Sequence, residues 1–467
     1  MIPKIKNREQ LLNCTNGVSR GIVLDLAEAT LRQLNSYERI RSVLKRNGSI
    51  LSIGKKRWDL SKKKRVYLIG AGKACNAMVA AVEEILGEWL TDGVAAVKIQ
   101  EKEDRFQKVR VFVGGHPLPD EGSLAASRAV LELIKGAGAD DLFLCVMSGG
   151  SSALLSMPMQ GLTLEDEIET SDILLKCGAG IREINAVRRH ISQMNGGRMA
   201  QKIAEKGAEL IGFNISDAVS NPPTEDISRP WKNFSATPMG PDFTTVQDAL
   251  EVIRKYDLKD RLPGRVMKYL SGNSPDLETP KAFPQNTYYQ INTLPDSCAY
   301  AKEIAEKKGI SAIVLTTFLE GEAKDAGAFM AALAKEIQKY HRPVAPPCVV
   351  LSAGEVVTTI LDNSVIRGHG GPSQEMALGF ASAVAFAKGA CFLSIDSEGT
   401  DGTSPAAGGI ADSDTLEALE RAEIDLSATL REHSAFEALS AVAGAVLTGN
   451  TGTNLCDLNI LYVPEES

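Results

Sequence analysis

Nothing in this sequence suggests a disulfide framework, a membrane span or a surface built for nucleic acid. Its eight cysteines stand singly at positions 14, 75, 145, 177, 298, 348, 391 and 456, without a Cys-x-x-Cys pair, and several fall inside apolar runs. That usage suits reduced thiols serving as small core residues rather than disulfides or a zinc site, and it places the protein in the cytoplasm. No apolar stretch approaches the roughly 18 uninterrupted residues that a span requires. The opening MIPKIKNREQLLNC has no h-region of a secretory signal. Net charge is −8, from 51 basic and 59 acidic side chains, and positive runs such as Lys62–Arg65 are short. Nucleic acid and membrane surfaces are therefore not expected partners. No repeat short enough for a solenoid occurs. The P-loop pattern G-x-x-x-x-G-K-[ST] is also missing, and the one G-x-G-x-x-G candidate has Cys75 at its third glycine position. Any anion has to be held by local geometry.

What is present is a long run of alternating elements. With 467 residues, 44% hydrophobic and 24% charged, the chain is soluble in composition and too long for one ordinary core. Residues 1–60 read as helical, with LDLAEATLRQL the best amphipathic piece. Strand-like RVYLIG, GVAAVKI, VRVFVGG and DLFLCVMS then alternate with helical KACNAMVAAVEEILGEWL and SLAASRAVLELIKGA. Continuous apolar strands separated by helices predict a parallel sheet covered on both faces. Residues 216–241 carry five prolines and read as a long functional loop. A second α/β stretch follows, closed by the strand-like TNLCDLNILYV. The fold class expected is α/β with two domains: a Rossmann-like, doubly wound domain over 1–258 and a second α/β domain with a mixed sheet over 259–467. The division is placed in RKYDLKDRLPG, and either domain could borrow the N-terminal helix.

Four groups of residues carry chemistry. In VYLIGAGKACNAM, Gly70 and Gly72 follow a strand and open a helix, where backbone can approach an anion. Lys73 at that helix start opposes the dipole, which a bound phosphate would repair, although a solvated lysine is an equal explanation. In MSGGSSALL, Gly149 and Gly150 permit positive φ and an anion-binding nest, with Ser148, Ser151 and Ser152 as capping or phosphate-binding hydroxyls. A turn serving packing alone is the competing reading. In IREINAVRRHISQMNGGR, Asn185, Arg188 and Arg189 leave the apolar stripe, and arginine suits carboxylate or phosphate oxygens. His190 reads as structural. The fourth group is acidic: Asp217, Asp396, Glu398, Asp401 and Asp457, in loops that could hold Mg²⁺ on a nucleotide or take a hydroxyl proton.

Taken in order, GAGKA, MSGGSSALL, INAVRRHIS…GGR, SDAVSNPP, LEGEAKDAG, GGPSQEMAL, GTDG…AAG and TGNTGTN resemble the type II glycerate kinase family. The C-terminal region of that family is called MOFRL, about 346–467 in this chain, and some of its members have been named hydroxypyruvate reductases. The resemblance runs from about residue 20 to the C-terminus. It implies ATP- and Mg²⁺-dependent phosphorylation of glycerate, typically at the 2-hydroxyl, with an active site in the cleft between two domains. It matches Lys73 to the family's functionally important lysine and Ser148–Ser152 to its glycine-serine loop. Catalytic roles are then expected for Lys73, Asp217 and Asp401, and acceptor binding for Asn185, Arg188 and Arg189. Glu398 and Asp401 are the candidate metal ligands. The partner is a small hydroxy acid, with a homodimer left open. Three departures bear on the acceptor. Gly370–Glu375 reads GGPSQE where the family often has GGRNQE, leaving Arg367 as a substitute for the lost arginine. Ser397–Gly408 replaces TDGxDGPTDAAG, with one acid lengthened to Glu398 and another replaced by Pro405. Asn195 stands where a lysine is common. Rival readings are a hydroxypyruvate reductase, against which the incomplete fingerprint counts, and a non-catalytic sensor of a sugar-acid phosphate.

Overall fold

The computed structural model describes residues 4–100, 105–219, 222–224, 226–230, 238–360 and 366–466. Of the expected loop over 216–241, positions 220, 221, 225 and 231–237 lie outside the described residues. The chain forms two compact units, and neither is continuous in sequence. One comprises Ser36–Ile215 and Glu225–Ile291; the other comprises Met1–Asn35, Ser216–Thr224 and Asn292–Ser467.

The first unit begins with a small antiparallel meander, β1 (Leu44–Asn47), β2 (Ile50–Ile53) and β3 (Lys56–Asp59). A wholly helical reading of residues 1–60 misses it. The signal was Asn47-Gly48-Ser49: Asn47 pairs with Ile50, which leaves Gly48-Ser49 as a two-residue hairpin turn with Gly48 at φ 60°. A six-stranded sheet follows, built from β4 (Arg65–Ala71), β5 (Asp92–Val97), β6 (Val109–Val113), β7 (Asp141–Met147), β8 (Glu209–Ser216) and β9 (Thr287–Thr293). Its order is β6-β5-β4-β7-β8-β9, and the β4/β5, β5/β6, β4/β7 and β7/β8 pairings are all parallel. This is the doubly wound Rossmann order, which reverses direction between β4 and β7. Both central strands are apolar after their first residues, Arg65 and Asp141, which pair with each other at 2.6 Å; every residue of β7 is buried.

The second unit holds a mixed sheet of β10 (Ser311–Glu322), β11 (Cys348–Val357), β12 (Cys391–Asp396), β13 (Gly408–Asp412), β14 (Ala445–Val446) and β15 (Asp457–Val463). Its order is β10-β11-β15-β12-β13-β14, with β10/β11 parallel and the other pairs antiparallel. The expected division near residue 258 is not where the units part. Leu258 and Leu262 are buried with Leu174, Ile184 and Val187 of the first unit, so the polar RKYDLKDRLPG is an anchored turn rather than a linker. The N-terminal helix Gly17–Gln33 belongs to the second unit, where Val23, Leu24, Ala27 and Leu31 pack against Leu393, Ile410 and Ile460. Arg20 locks it there through a buried ion pair to Asp412 at 2.6 Å. A buried Arg–Asp pair shows in sequence as two unrelated charges 392 positions apart.

Candidate active site

The reversal point of the first sheet brings two of the sequence motifs side by side. The β4/β7 register pairs Gly70 with Val146 and Ala71 with Met147, so the strands end together and their following loops emerge in contact. In open parallel sheets ligands collect at such a point. Gly70 is required by the close approach of the Cys75–Leu86 helix, because a Cβ there would collide with Val79. Gly72, at φ 128°, leaves no room for a Cβ beside Ser148.

The two loops are hydrogen-bonded to each other. Ser148 N–H donates to the Ala71 carbonyl at 3.0 Å, Lys73 N–H to the Gly149 carbonyl at 2.9 Å, and Ala74 N–H to Ser148 Oγ at 3.0 Å. Gly72 N–H goes to the Ala96 carbonyl at 3.2 Å. This differs from the sequence expectation. The GAGK backbone is not a second anion cradle, since its donors are committed to neighbouring strands and to the Ser148 loop. It acts as a buttress. Among the described residues, the N–H groups of Gly149 and Gly150 have no such partner, and Gly150 adopts φ 85°. Successive donors around a left-handed residue form a nest suited to an oxyanion.

A side chain at 150 would meet Lys73 Cγ at 3.1 Å and the His116 ring at 2.9 Å. The Lys73 stem and the His116 imidazole therefore flank the same nest. Sequence reasoning passed over His116. Its signal was GGHP directly after β6, at the C-terminal end of a third parallel strand. Ser148 and Ser151 are buried, and Ser152 is half-buried.

A third segment closes against this loop. Gln193 N–H donates to the Met157 carbonyl at 2.7 Å, Met159 N–H to the Ile191 carbonyl at 2.9 Å, and Asn195 Nδ2 to the Ser152 carbonyl at 2.9 Å. Asn195, the departure from the family lysine, is thus a strut for the serine loop. These contacts fix the end of the Ile181–His190 helix and its two arginines, which behave differently. Arg189 pairs with the buried Asp242 at 2.9 Å, and Asp242 also accepts from Thr244 and Thr279. Its guanidinium is structural, which removes it from the expected acceptor-binding set. Arg188 is half-buried and has no ion pair or hydrogen bond among the described residues; burial lowers its pKa, opposed by the charge of Glu167. Asn185, one turn earlier, is half-buried. His190 is fully buried with Nδ1 on the Ala186 carbonyl, and burial lowers its pKa, as suits a structural imidazole.

The acidic candidates all lie in the second unit. Asp401 is 2% exposed and accepts from Ser373 N–H at 3.2 Å, Gln374 N–H at 2.9 Å and Gln374 Nε2 at 2.8 Å. It caps the Pro372–Ala383 helix, and burial pushes its carboxyl up to about 6 despite those donors. Its three donors commit it to the start of that helix. No cluster of three or more His, Cys, Asp or Glu suited to a metal occurs among the described residues. Glu398 is half-buried and accepts from Thr400 Oγ1 at 3.0 Å. Asp217 accepts from Asn454 Nδ2 at 3.1 Å. Asp457 is buried and accepts from Ser373 Oγ at 2.8 Å and Val356 N–H at 3.2 Å; burial, and then the charge of Asp401, push it up to about 7. Arg367 lies near Glu432 at 3.4 Å on the protein surface. Among the described residues no helix is long and apolar enough to cross a membrane.

Residues 22–271 match the family described as Domain of unknown function (DUF4147), and residues 348–457 match the MOFRL family. A protein named Glycerate 2-kinase from Pyrococcus horikoshii is 35% identical, covering 95% of this chain and 97% of its own. A Putative hydroxypyruvate reductase from Agrobacterium vitis is 33% identical over 85% of this chain and 87% of its own. The crystal structure of a glycerate kinase from Thermotoga maritima superposes with a TM-score of 0.76 at 30% identity, over 95% of this chain and 99% of that one.

Proposed function

Since the chain belongs to the glycerate kinase family that joins DUF4147 to MOFRL, we propose that it transfers a phosphoryl group from ATP to the 2-hydroxyl of glycerate. One observation carries the assignment of the site: Lys73 lies across Gly150, beside two backbone donors, where the sheet reverses. A cation whose stem flanks the nest, with N–H groups that need no reorganisation, suits a phosphoryl group whose charge spreads over its oxygens during transfer. Lys73 neutralises that charge. Gly149 and Gly150, with Ser151 and Ser152, hold the donor phosphates. Arg188 orients the acceptor carboxylate, with Asn185 beside it. Asp217 and Glu398 belong to the other unit. Mg²⁺ accompanying the nucleotide would be held largely by the phosphates and water and would supply neutralising charge there. The scattered thiols fit a cytoplasmic enzyme.

The test is ATP-dependent ADP release with D-glycerate. Wild type should turn over, and Lys73→Ala should fall about 10²–10³-fold while retaining its melting temperature, the scale seen when one electrostatic stabiliser is removed. Equal rates in both proteins would remove Lys73 from the mechanism. Nicotinamide-dependent turnover of hydroxypyruvate without ATP would replace the kinase reading altogether.

A further inference from the structure

Glu167 poses a problem that the reading above leaves untouched. It lies in the first turn of the Leu164–Lys176 helix, whose Thr163–Asp166 capping box and acidic first turn account for the helix but not for a carboxylate pointing inward. Glu167 is 4% exposed. An isolated buried carboxylate is expensive, and a helix of this kind would gain stability from an apolar residue at such a position. The Ser156 hydroxyl donates to its Oε2 at 2.7 Å. Ser156 follows directly on the serine loop and is itself buried.

The other groups facing it are the Ser192 hydroxyl, on the turn that leads to Asn195, and the Arg188 guanidinium of the Ile181–His190 helix. Arg188 is the one charged group in that set, and it is near enough to be felt without forming an ion pair. Glu167 therefore sits at the junction of three things: the phosphate loop through Ser156, the 192–195 turn, and the arginine assigned to the acceptor.

We propose that Glu167 is a positioning residue for the acceptor site, serving as the counter-charge of Arg188 until the acceptor carboxylate takes that place, with a proton carried onto Glu167 as the acid binds. This rests on the assignment of Arg188 to the acceptor. The charge balance is simple. Arg188 with an ionised Glu167 is neutral; adding a carboxylate anion leaves two negative groups around one cation in a buried setting. Uptake of one proton at Glu167 restores neutrality. Burial already brings Glu167 up to about 7, against the pull of Ser156, Arg188 and Ser192, so the exchange falls within the working pH range.

The KM for D-glycerate at saturating ATP is measured from pH 6 to 9 in wild type and Glu167→Gln, which keeps an oxygen for Ser156. Wild-type KM should rise above pH 7, by up to about tenfold per unit where one proton must accompany binding. Glu167→Gln should lose that rise while its kcat keeps the wild-type pH dependence. ATP titrates identically in both proteins, so the difference between them is the readout. Calorimetry of glycerate binding in two buffers of unlike ionisation enthalpy should show proton uptake in wild type alone. If Glu167→Gln does not fold, Ser156→Ala takes its place: removing the donor that favours the ionised carboxylate should move the KM midpoint to higher pH. The same KM–pH slope in wild type and Glu167→Gln, or an unmoved midpoint in Ser156→Ala, overturns the proposal. Arg188→Gln separates this failure from the other. If that variant keeps wild-type KM, the acceptor assignment itself is wrong; if it loses glycerate binding while Glu167→Gln keeps the wild-type slope, only the role of Glu167 falls.

Discussion

Gly150→Ala tests whether the serine loop is shaped around Lys73. Two costs are expected, and the structure separates them. The first is backbone: residue 150 sits at φ 85°, a left-handed conformation that costs a residue bearing a Cβ about 1–2 kcal/mol. The second is crowding, because the new methyl would lie 2.9 Å from His116 Cδ2 and 3.1 Å from Lys73 Cγ. Those neighbours have to move by a few tenths of an ångström, and a misplaced catalytic group can cost on the order of 10²-fold per ångström. Gly161→Ala is the control. Gly161 has φ 92° and nothing within 4 Å of the added carbon, so it carries the first cost alone. Gly150→Ala should lose at least as much stability as Gly161→Ala, roughly 2–4 °C in Tm per kcal/mol for a unit of this size. Only Gly150→Ala should also lose kcat, by about 10-fold or more, in the ADP-release assay. Wild-type kcat in a folded Gly150→Ala would mean that the loop does not set the position of Lys73. An equal kcat loss in Gly161→Ala would show that the effect is general softening.

Other expectations concern groups that the structure sorted. Arg189→Met should unfold at lower urea concentration, because it leaves the buried Asp242 unpaired, yet the folded enzyme should keep its KM for glycerate. A tenfold rise in KM would return Arg189 to the acceptor site. Arg20→Met strands Asp412 in the second unit and should cost about 3–5 kcal/mol, read by urea denaturation; a loss under 1 kcal/mol would deny the pair its anchoring role. Asp457→Asn should stabilise the protein at pH 8 by an amount on the order of 1–4 kcal/mol, because Val356 N–H can keep its acceptor and the Ser373 hydroxyl can turn to accept. The native pKa of about 7 lies above the unfolded value, so wild type binds its extra proton only when folded and loses stability as pH rises from about 4 to about 7. The advantage of the variant should therefore fade as pH falls towards 4, which melting curves across that range would show. A constant difference would place the effect elsewhere.

How much of this was legible beforehand varies by scale. The alternation of apolar strands and amphipathic helices follows from residue spacing, and so does the position of Lys73 and the serine loop at strand ends. The Gly48-Ser49 hairpin turn was equally local and readable, but it was hidden by the helical pattern around it. The partition into units was not readable, because the Gly17–Gln33 helix is amphipathic whichever sheet it covers. Leu258 and Leu262 look like ordinary members of a polar turn until the Ile184–Val187 surface is placed beneath them.

The sequence by itself determined the kinds of element, the strand-end location of the glycine loops and the supply of arginines and acids near them, since each depends on residues a few positions apart. Tertiary structure decided what each group was left free to do. Ala74 N–H could have met an anion, but it meets Ser148 Oγ, 74 residues away. Arg188 and Arg189 are adjacent and chemically identical, and Asp242, 53 positions beyond Arg189, claims the second of them. Asp401 reads as a loop acid until the Pro372–Ala383 helix points its first N–H groups at it. A hydrogen-bonding group has few sites to offer, and distant parts of the chain claim most of them first; function belongs to those that remain.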